Sequence, residues 1–126
     1  MTKYSPFVLS VLRIITGFLF IEHGTQKVLS FPAPPEHVMT GALPQLSGFI
    51  ELVGGALILI GLFTRISAFI LSGEMAVAYF MVHAKGGFWP LLNHGEAAVL
   101  YCFVFLYLFF AGGGPLSIDG LIRRKA

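Results

Sequence analysis

Four apolar stretches, each about as long as a membrane-crossing helix, constrain this chain more than any other feature. They run from Phe7 to Val28, Pro44 to Phe63, Ile66 to His83 and Asn93 to Ala111. Crossing hydrocarbon as an α-helix takes about 20 mostly apolar residues. Pro44 suits a helix start, where its missing N–H costs nothing. Gly112-Gly113-Gly114-Pro115 is a strong stop after the fourth stretch. The expectation is an all-α integral membrane four-helix bundle, with residues 1–126 as one domain. Composition points the same way. The chain is 56% hydrophobic and 11% charged, whereas soluble domains carry about 25% charged residues. Such a chain lacks the polar surface to cover itself in water. The first stretch outlasts a signal-peptide core and no small-residue cleavage site follows it, so it reads as an uncleaved span.

The connections differ in kind. Residues 30–43 include Pro32, Pro34 and Pro35, which predicts an irregular interfacial loop. Thr64-Arg65 alone separates the second and third spans, which predicts an antiparallel hairpin. Trp89 falls between the third and fourth spans, where an interfacial aromatic belongs. Lys3, Arg65, Arg123, Arg124 and Lys125 lie on one side, and Lys27 and Lys85 on the other. The positive-inside rule then places both termini in the cytoplasm. The basic residues do not cluster on an aromatic face, which argues against nucleic acid as a partner. A lone Cys102 excludes an internal disulfide and a cysteine-rich metal site. A weak internal repeat relates the His23–Lys27 and Glu51 region to the His83–Lys85 and Glu96 region, as in a parallel two-helix duplication.

Ionisable residues inside the spans carry the functional signal. They are Arg13, Glu22, His23, Lys27, Glu51, Glu74 and Glu96. Each would cost about 2.5–3.5 kcal/mol at the bilayer centre, so such residues normally face the interior and find partners. Arg13, Gly17, Phe20, Gly24 and Lys27 follow a 4-3-4-3 step that keeps them on one helix face. Glu51, Gly55, Ile58, Leu62 and Arg65 align likewise, and glycines at this spacing let helices approach closely. Depth suggests an inner structural ion pair between Arg13 and Glu74. It also suggests an outer polar cluster of His23, Lys27, Glu51 and Glu96, capped by His83 and Asn93. Histidine beside carboxylates titrates near neutral pH and passes protons. With Glu and Lys in a partly dry pocket, it suits a quinone carbonyl or a similar small polar head. His23 and His83 could serve as axial haem ligands, but histidine is not paired on adjacent turns. Both sit near the outer ends, which disfavours haem, and no metal motif is present.

The ordered set Arg13, Gly17, His23-Gly24, Lys27, Glu51-x-x-Gly54-Gly55, Gly61-Leu62-x-Thr64-Arg65 and Asn93-His94-Gly95-Glu96 resembles the DoxX family of small bacterial four-helix membrane proteins. The closing Gly112-Gly-Gly-Pro-Leu-Ser117-Ile-Asp119 is similar to the family's end. His94 stands where the common form has glycine, adding a titratable group. The resemblance implies the bacterial inner membrane and redox-associated roles, such as subunits of thiosulfate:quinone oxidoreductase or of terminal quinol oxidase. It gives no catalytic assignments. The leading expectation is a redox-associated subunit that binds a quinone or related molecule through His23, Lys27, Glu51, Asn93 and Glu96. In that reading His23 and Glu51 exchange protons and Lys27 stabilises negative charge. Two alternatives stand beside it. One is a non-catalytic membrane anchor or assembly partner for a soluble oxidoreductase, with Arg123-Arg124-Lys125 as a contact or lipid-phosphate anchor. The other is a small transporter, which with four helices would need to form a homo-oligomer.

Overall fold

In the described residues the exposed positions of the long helices are mostly large and apolar, while many of the buried ones are small or polar. On the first helix Phe7, Val8, Val11, Ile15 and Phe18 are exposed, and Ser10, Arg13, Thr16, Gly17 and Gly24 are buried. That reverses the arrangement of a protein folded in water and fits a chain dissolved in lipid, where apolar surface costs nothing and polar groups must be satisfied internally. The structure, a computed structural model, describes residues 2–35 and 41–125, with the backbone alone for Lys125. Residues 36–40 of the expected proline-rich loop, and the side chain of Lys125 in the basic tail, lie outside the described residues.

The protein is all-α, with no strand among the described residues. A 3₁₀ turn, Thr2–Tyr4, leads into α1, Ser5–Leu29; α2 is Ala42–Ile60 and α3 is Thr64–Ala78. A π-helical turn, Tyr79–His83, and a 3₁₀ turn, Ala84–Gly86, continue α3. They are followed by α4, Pro90–Asn93, α5, Glu96–Ala111, and α6, Ile118–Lys125. Among the described residues three helical segments are long and apolar enough to cross a membrane: Thr2–Leu29, Ala42–Ile60 and Thr64–Gly86.

Several boundaries differ from the sequence reading, two of them for a visible local reason. The second span ends at Ile60, because Gly61 adopts φ +73 and its N–H caps the carbonyls of Leu57 and Ile58. The fourth span starts at Glu96 rather than Asn93 and has 16 residues, about 24 Å of helix. Asn93 ends α4 and His94 takes a left-handed conformation, φ 61. The Asn93 side chain then accepts the Gly95 N–H at 2.9 Å, which breaks the helix just before Glu96. The tail contains α6, a helix that hydropathy alone does not reveal.

The chain forms two compact units, Met1–Thr64 with Gly113–Ala126, and Arg65–Gly112. In the first unit, α1 and α2 run antiparallel and touch backbone to backbone. A Cβ on Gly17 would lie 2.6 Å from Leu59 N, and one on Gly24 would lie 2.7 Å from Leu52 N. On α2, Gly48 and Gly55 receive Lys27 and Ile21 in return. The glycines are seven residues apart on each helix, so one seam stays in register over two turns.

The start of α1 and the end of α2 are locked to the tail by polar contacts. Arg13, 1% exposed, donates to the carbonyls of Gly113, Leu116 (2.7 Å) and Leu59 (3.4 Å). The Leu59 carbonyl belongs to the last turn of α2, the negative end of the helix dipole, where a cation is favoured. Ser10 Oγ accepts the Leu116 N–H at 3.1 Å. Asp119 accepts the N–H groups of Phe63 and Thr64, both at 2.9 Å, and so caps the first residue of α3. Its own N–H donates to Gly61 O at 2.9 Å. In the second unit Arg65 donates to Phe110 O at 2.8 Å and caps the end of α5.

Replacing Gly24 by Leu is expected to force α1 and α2 apart and cost about 1–3 kcal/mol or more. Thermal unfolding of the purified protein in detergent should show a lower midpoint, whereas Gly73→Leu, at a position with open space, should leave it nearly unchanged. Partial burial pushes the Asp119 carboxyl up, but the Thr64 and Phe63 N–H groups and the charge of Arg123 outweigh it and hold the carboxyl below its ordinary range. A carboxyl depressed in the folded state stabilises above its unfolded value of about 3.9 and loses that contribution as pH falls through the folded value. Asp119→Asn should therefore lower stability at neutral pH by about 1 kcal/mol. The loss should shrink towards zero in acid, as read from unfolding midpoints across pH.

Candidate binding site

The seam of glycines brings the outer end of α1 close to the start of α2, and two charged side chains meet there. Lys27 Nζ lies 2.7 Å from Glu51 Oε1 and donates to Ser47 Oγ at 3.1 Å. The Ser47 hydroxyl also reaches Glu51 Oε1, at 3.4 Å. Ser47 is one helical turn before Glu51, so the two share a face of α2. That spacing was visible in the sequence, and it is the signal that could have added Ser47 to the candidates. The Glu51 side chain is 2% exposed and that of Lys27 is 29% exposed. The lysine stem lies along the helix seam while its ammonium reaches the carboxylate.

The two oxygens of Glu51 are not equivalent. Oε1 takes the lysine and serine contacts. Oε2 is buried and has no hydrogen-bond partner among the described residues. An ionised carboxylate offers about four acceptor sites, and leaving one buried oxygen unsatisfied costs about 1–3 kcal/mol. Evolution tolerates such a cost mainly where strain, catalysis or an absent water or ligand explains it.

The other expected residues are distributed as follows. His23 is exposed on α1, its ring centre 6.1 Å from that of Phe20. Asn93, 7% exposed, belongs to the second unit. There its amide donates to Gly87 O at 2.9 Å and to Tyr79 Oη at 3.2 Å. His83 Nδ1 lies 3.2 Å from Asn93 O. The acceptor there is a carbonyl, so Nδ1 is the donor. Tyr79 Oη donates to Phe88 O at 3.0 Å. These contacts tie the π-helical turn to the 84–95 connection, so Asn93 is occupied in holding that connection together. Glu96 is exposed at the first position of α5, where its charge complements the helix dipole. Glu74 is half-buried on α3 in the second unit, whereas the guanidinium of Arg13 is taken up by carbonyls of the first. No group of three or more His, Cys, Asp or Glu suited to a metal ion occurs among the described residues.

The asymmetric pair makes a stability test available. Lys27→Met should leave a buried carboxylate with Ser47 as its neighbour and cost about 1–3 kcal/mol. Adding Glu51→Gln to it should recover part of that loss, since the unpaired charge is then gone. A double-mutant cycle on unfolding midpoints measures the coupling; strictly additive losses would mean the contact contributes nothing.

Comparison with known proteins agrees with this architecture. The DoxX family model matches residues 8–84. An uncharacterized protein of Haemophilus influenzae is 44% identical, with 98% of this chain and 96% of the relative aligned. A Bacillus subtilis protein named "Putative oxidoreductase CatD" is 28% identical over 90% of this chain and 86% of its own length. The Escherichia coli inner membrane protein YqjF is 27% identical over 99% of both chains. No solved structure matches the chain. Taken with three apolar helices of membrane-crossing length, these likenesses show that the chain belongs to the DoxX family of membrane proteins.

Proposed function

We propose that the protein is a redox-associated subunit of the bacterial inner membrane that binds a quinone-type molecule at Lys27, Ser47 and Glu51. Both termini lie in the cytoplasm in this reading, since Lys3, Arg65, Arg123, Arg124 and Lys125 share one side. The observation that carries the proposal is the buried Glu51 Oε2 with no hydrogen-bond partner among the described residues. The Bacillus subtilis relative's name, which includes oxidoreductase, supports the redox class.

The hydrogen-bond chemistry narrows the ligand. Glu51 Oε2 is an acceptor, so its complement is an O–H or N–H donor. A quinone carbonyl accepts; the hydroxyl of the reduced quinol donates. The Lys27 ammonium has three N–H donors, and Ser47 and Glu51 take two. Among the described residues the third is left for a carbonyl or phenolate oxygen. The site is therefore better matched to the reduced, hydroxylated form. His23 is exposed one helical turn before Lys27 on α1, beside the site. Asn93 and Glu96 are secondary in this reading, because the first is committed to the 84–95 connection and the second is exposed.

Isothermal titration of the purified full chain with a short-chain benzoquinol and its quinone tests this. Quinol should bind more tightly than quinone. A charged hydrogen bond is worth about 1.5–3 kcal/mol, so Glu51→Gln should weaken quinol binding roughly 10–100-fold, with the folded fraction checked by circular dichroism. Equal quinol affinity in the folded variant would sink the proposal.

A further inference from the structure

The structure assigns to α6 a role that the Lys27–Glu51 site does not need: we infer that α6 and the preceding Gly114-Pro115 turn form a seat for the phosphate headgroup of an anionic phospholipid. Ile118, Leu121 and Ile122 recur at helical spacing and are all exposed. Arg123 and Arg124 follow on the last turn. A short helix with an apolar stripe and terminal arginines is the pattern of a helix lying in the membrane interface.

Its position supports that reading. Asp119 is bound to the N–H groups of Phe63 and Thr64 and to Gly61 O. Arg13 holds the carbonyls of Gly113 and Leu116. These contacts fix α6 at the end of the unit where α1 begins and α2 finishes, which is where two membrane-length helices leave the hydrocarbon. The exposed isoleucines and leucine then meet acyl chains at the height where headgroups begin.

A cavity of about 300 Å³ opens between Gly114, Pro115, Gly120, Arg123 and Arg124. Gly120 keeps the helix close to the turn, since a Cβ there would lie 3.1 Å from Gly114 O. Arg124 is pre-oriented, with Nε donating to Gly120 O at 3.2 Å and Nη2 to Pro115 O at 3.0 Å. A guanidinium has five N–H donors, so three remain for phosphate oxygens, the partner its planar fork suits best. Asp119, the one acid on α6, spends both oxygens on backbone N–H groups.

Native mass spectrometry of the detergent-solubilised full chain, titrated with phosphatidylglycerol, phosphatidylcholine and glycerol phosphate, tests the inference. Phosphatidylglycerol should bind more tightly than phosphatidylcholine, and glycerol phosphate should bind weakly. Each basic residue near a charged membrane surface contributes about a fivefold factor. The double variant Arg123→Gln/Arg124→Gln should therefore lose roughly 25-fold in phosphatidylglycerol affinity. Arg123→Lys/Arg124→Lys should retain only part of it, since the charge stays but the guanidinium fork is gone, and Lys3→Gln should change it little. Three results would overturn the inference: no lipid preference in the native chain, full affinity in the glutamine variant, or glycerol phosphate binding as tightly as the lipid. A concentration-dependent dimer lost in the glutamine variant, with no lipid preference, would identify a second copy as the occupant instead.

Discussion

Backbone contact between α1 and α2 at Gly17 and Gly24 sets the distance on which the polar chemistry of the first unit depends. With the helix axes this close, Lys27 reaches across the seam to a carboxylate one helix away, at 2.7 Å. At the opposite end the same approach lets Arg13 reach Leu59 O in the last turn of α2. A side chain larger than hydrogen at either glycine would run into the partner's backbone, and both polar contacts would lengthen together. The hydrophobic effect does not drive helices together in lipid, so close packing and hydrogen bonds must do it. The glycine seam supplies the first, and Arg13 and Lys27 supply the second.

The two cations of this unit, one partly and one fully buried, are held differently. Lys27 faces a carboxylate, whereas Arg13 is surrounded by three backbone carbonyls from the end of α2 and the segment before α6. Arg65 repeats the device in the second unit by donating to the last carbonyls of α5. Helix ends leave carbonyls unsatisfied, and in a membrane such groups are costly unless a donor reaches them. An arginine with five donors satisfies several at once. This explains why the glycine- and proline-rich segment after Ala111 can lie next to apolar helices: its backbone is paired with Ser10 and Arg13.

The spans, the inward glycine face of α1 and the alignment of Glu51 with Gly55 were legible in the sequence because each depends on helical period alone. The family was legible because its motif residues occur in order along almost the whole chain. What was hidden depends on contacts between distant segments. Spacing made Glu74 a candidate partner for Arg13, but no spacing rule reveals that carbonyls 100 and 103 residues away receive its guanidinium. The helix α6 was missed because eight residues with three basic side chains give little hydropathy signal. Its order comes from Asp119, whose cap on Phe63 and Thr64 links positions 56 and 55 residues apart. The late start of α5 was hidden for a similar reason. Asn93 reads as a helix opener, and only the left-handed turn at His94 shows that its side chain ends one helix instead of starting the next.

The asymmetry at Glu51 separates two uses of a buried ion pair. A pair kept only to specify helix docking gains most when both oxygens of the carboxylate are satisfied, because any unsatisfied oxygen adds cost without adding specificity. Here one oxygen holds two protein donors and the other holds none among the described residues. A docking role explains the first oxygen and not the second. A donor ligand, as proposed above, would account for both: Lys27 and Ser47 fix the carboxylate in one orientation, and a donor that opened its way to the buried Oε2 would satisfy the remaining oxygen. The same arrangement would discriminate between reduced and oxidised forms of one molecule, since a hydroxyl satisfies Oε2 and a carbonyl repels it. Recognition of the reduced form through one acceptor atom, as proposed, would need no cofactor motif in the chain.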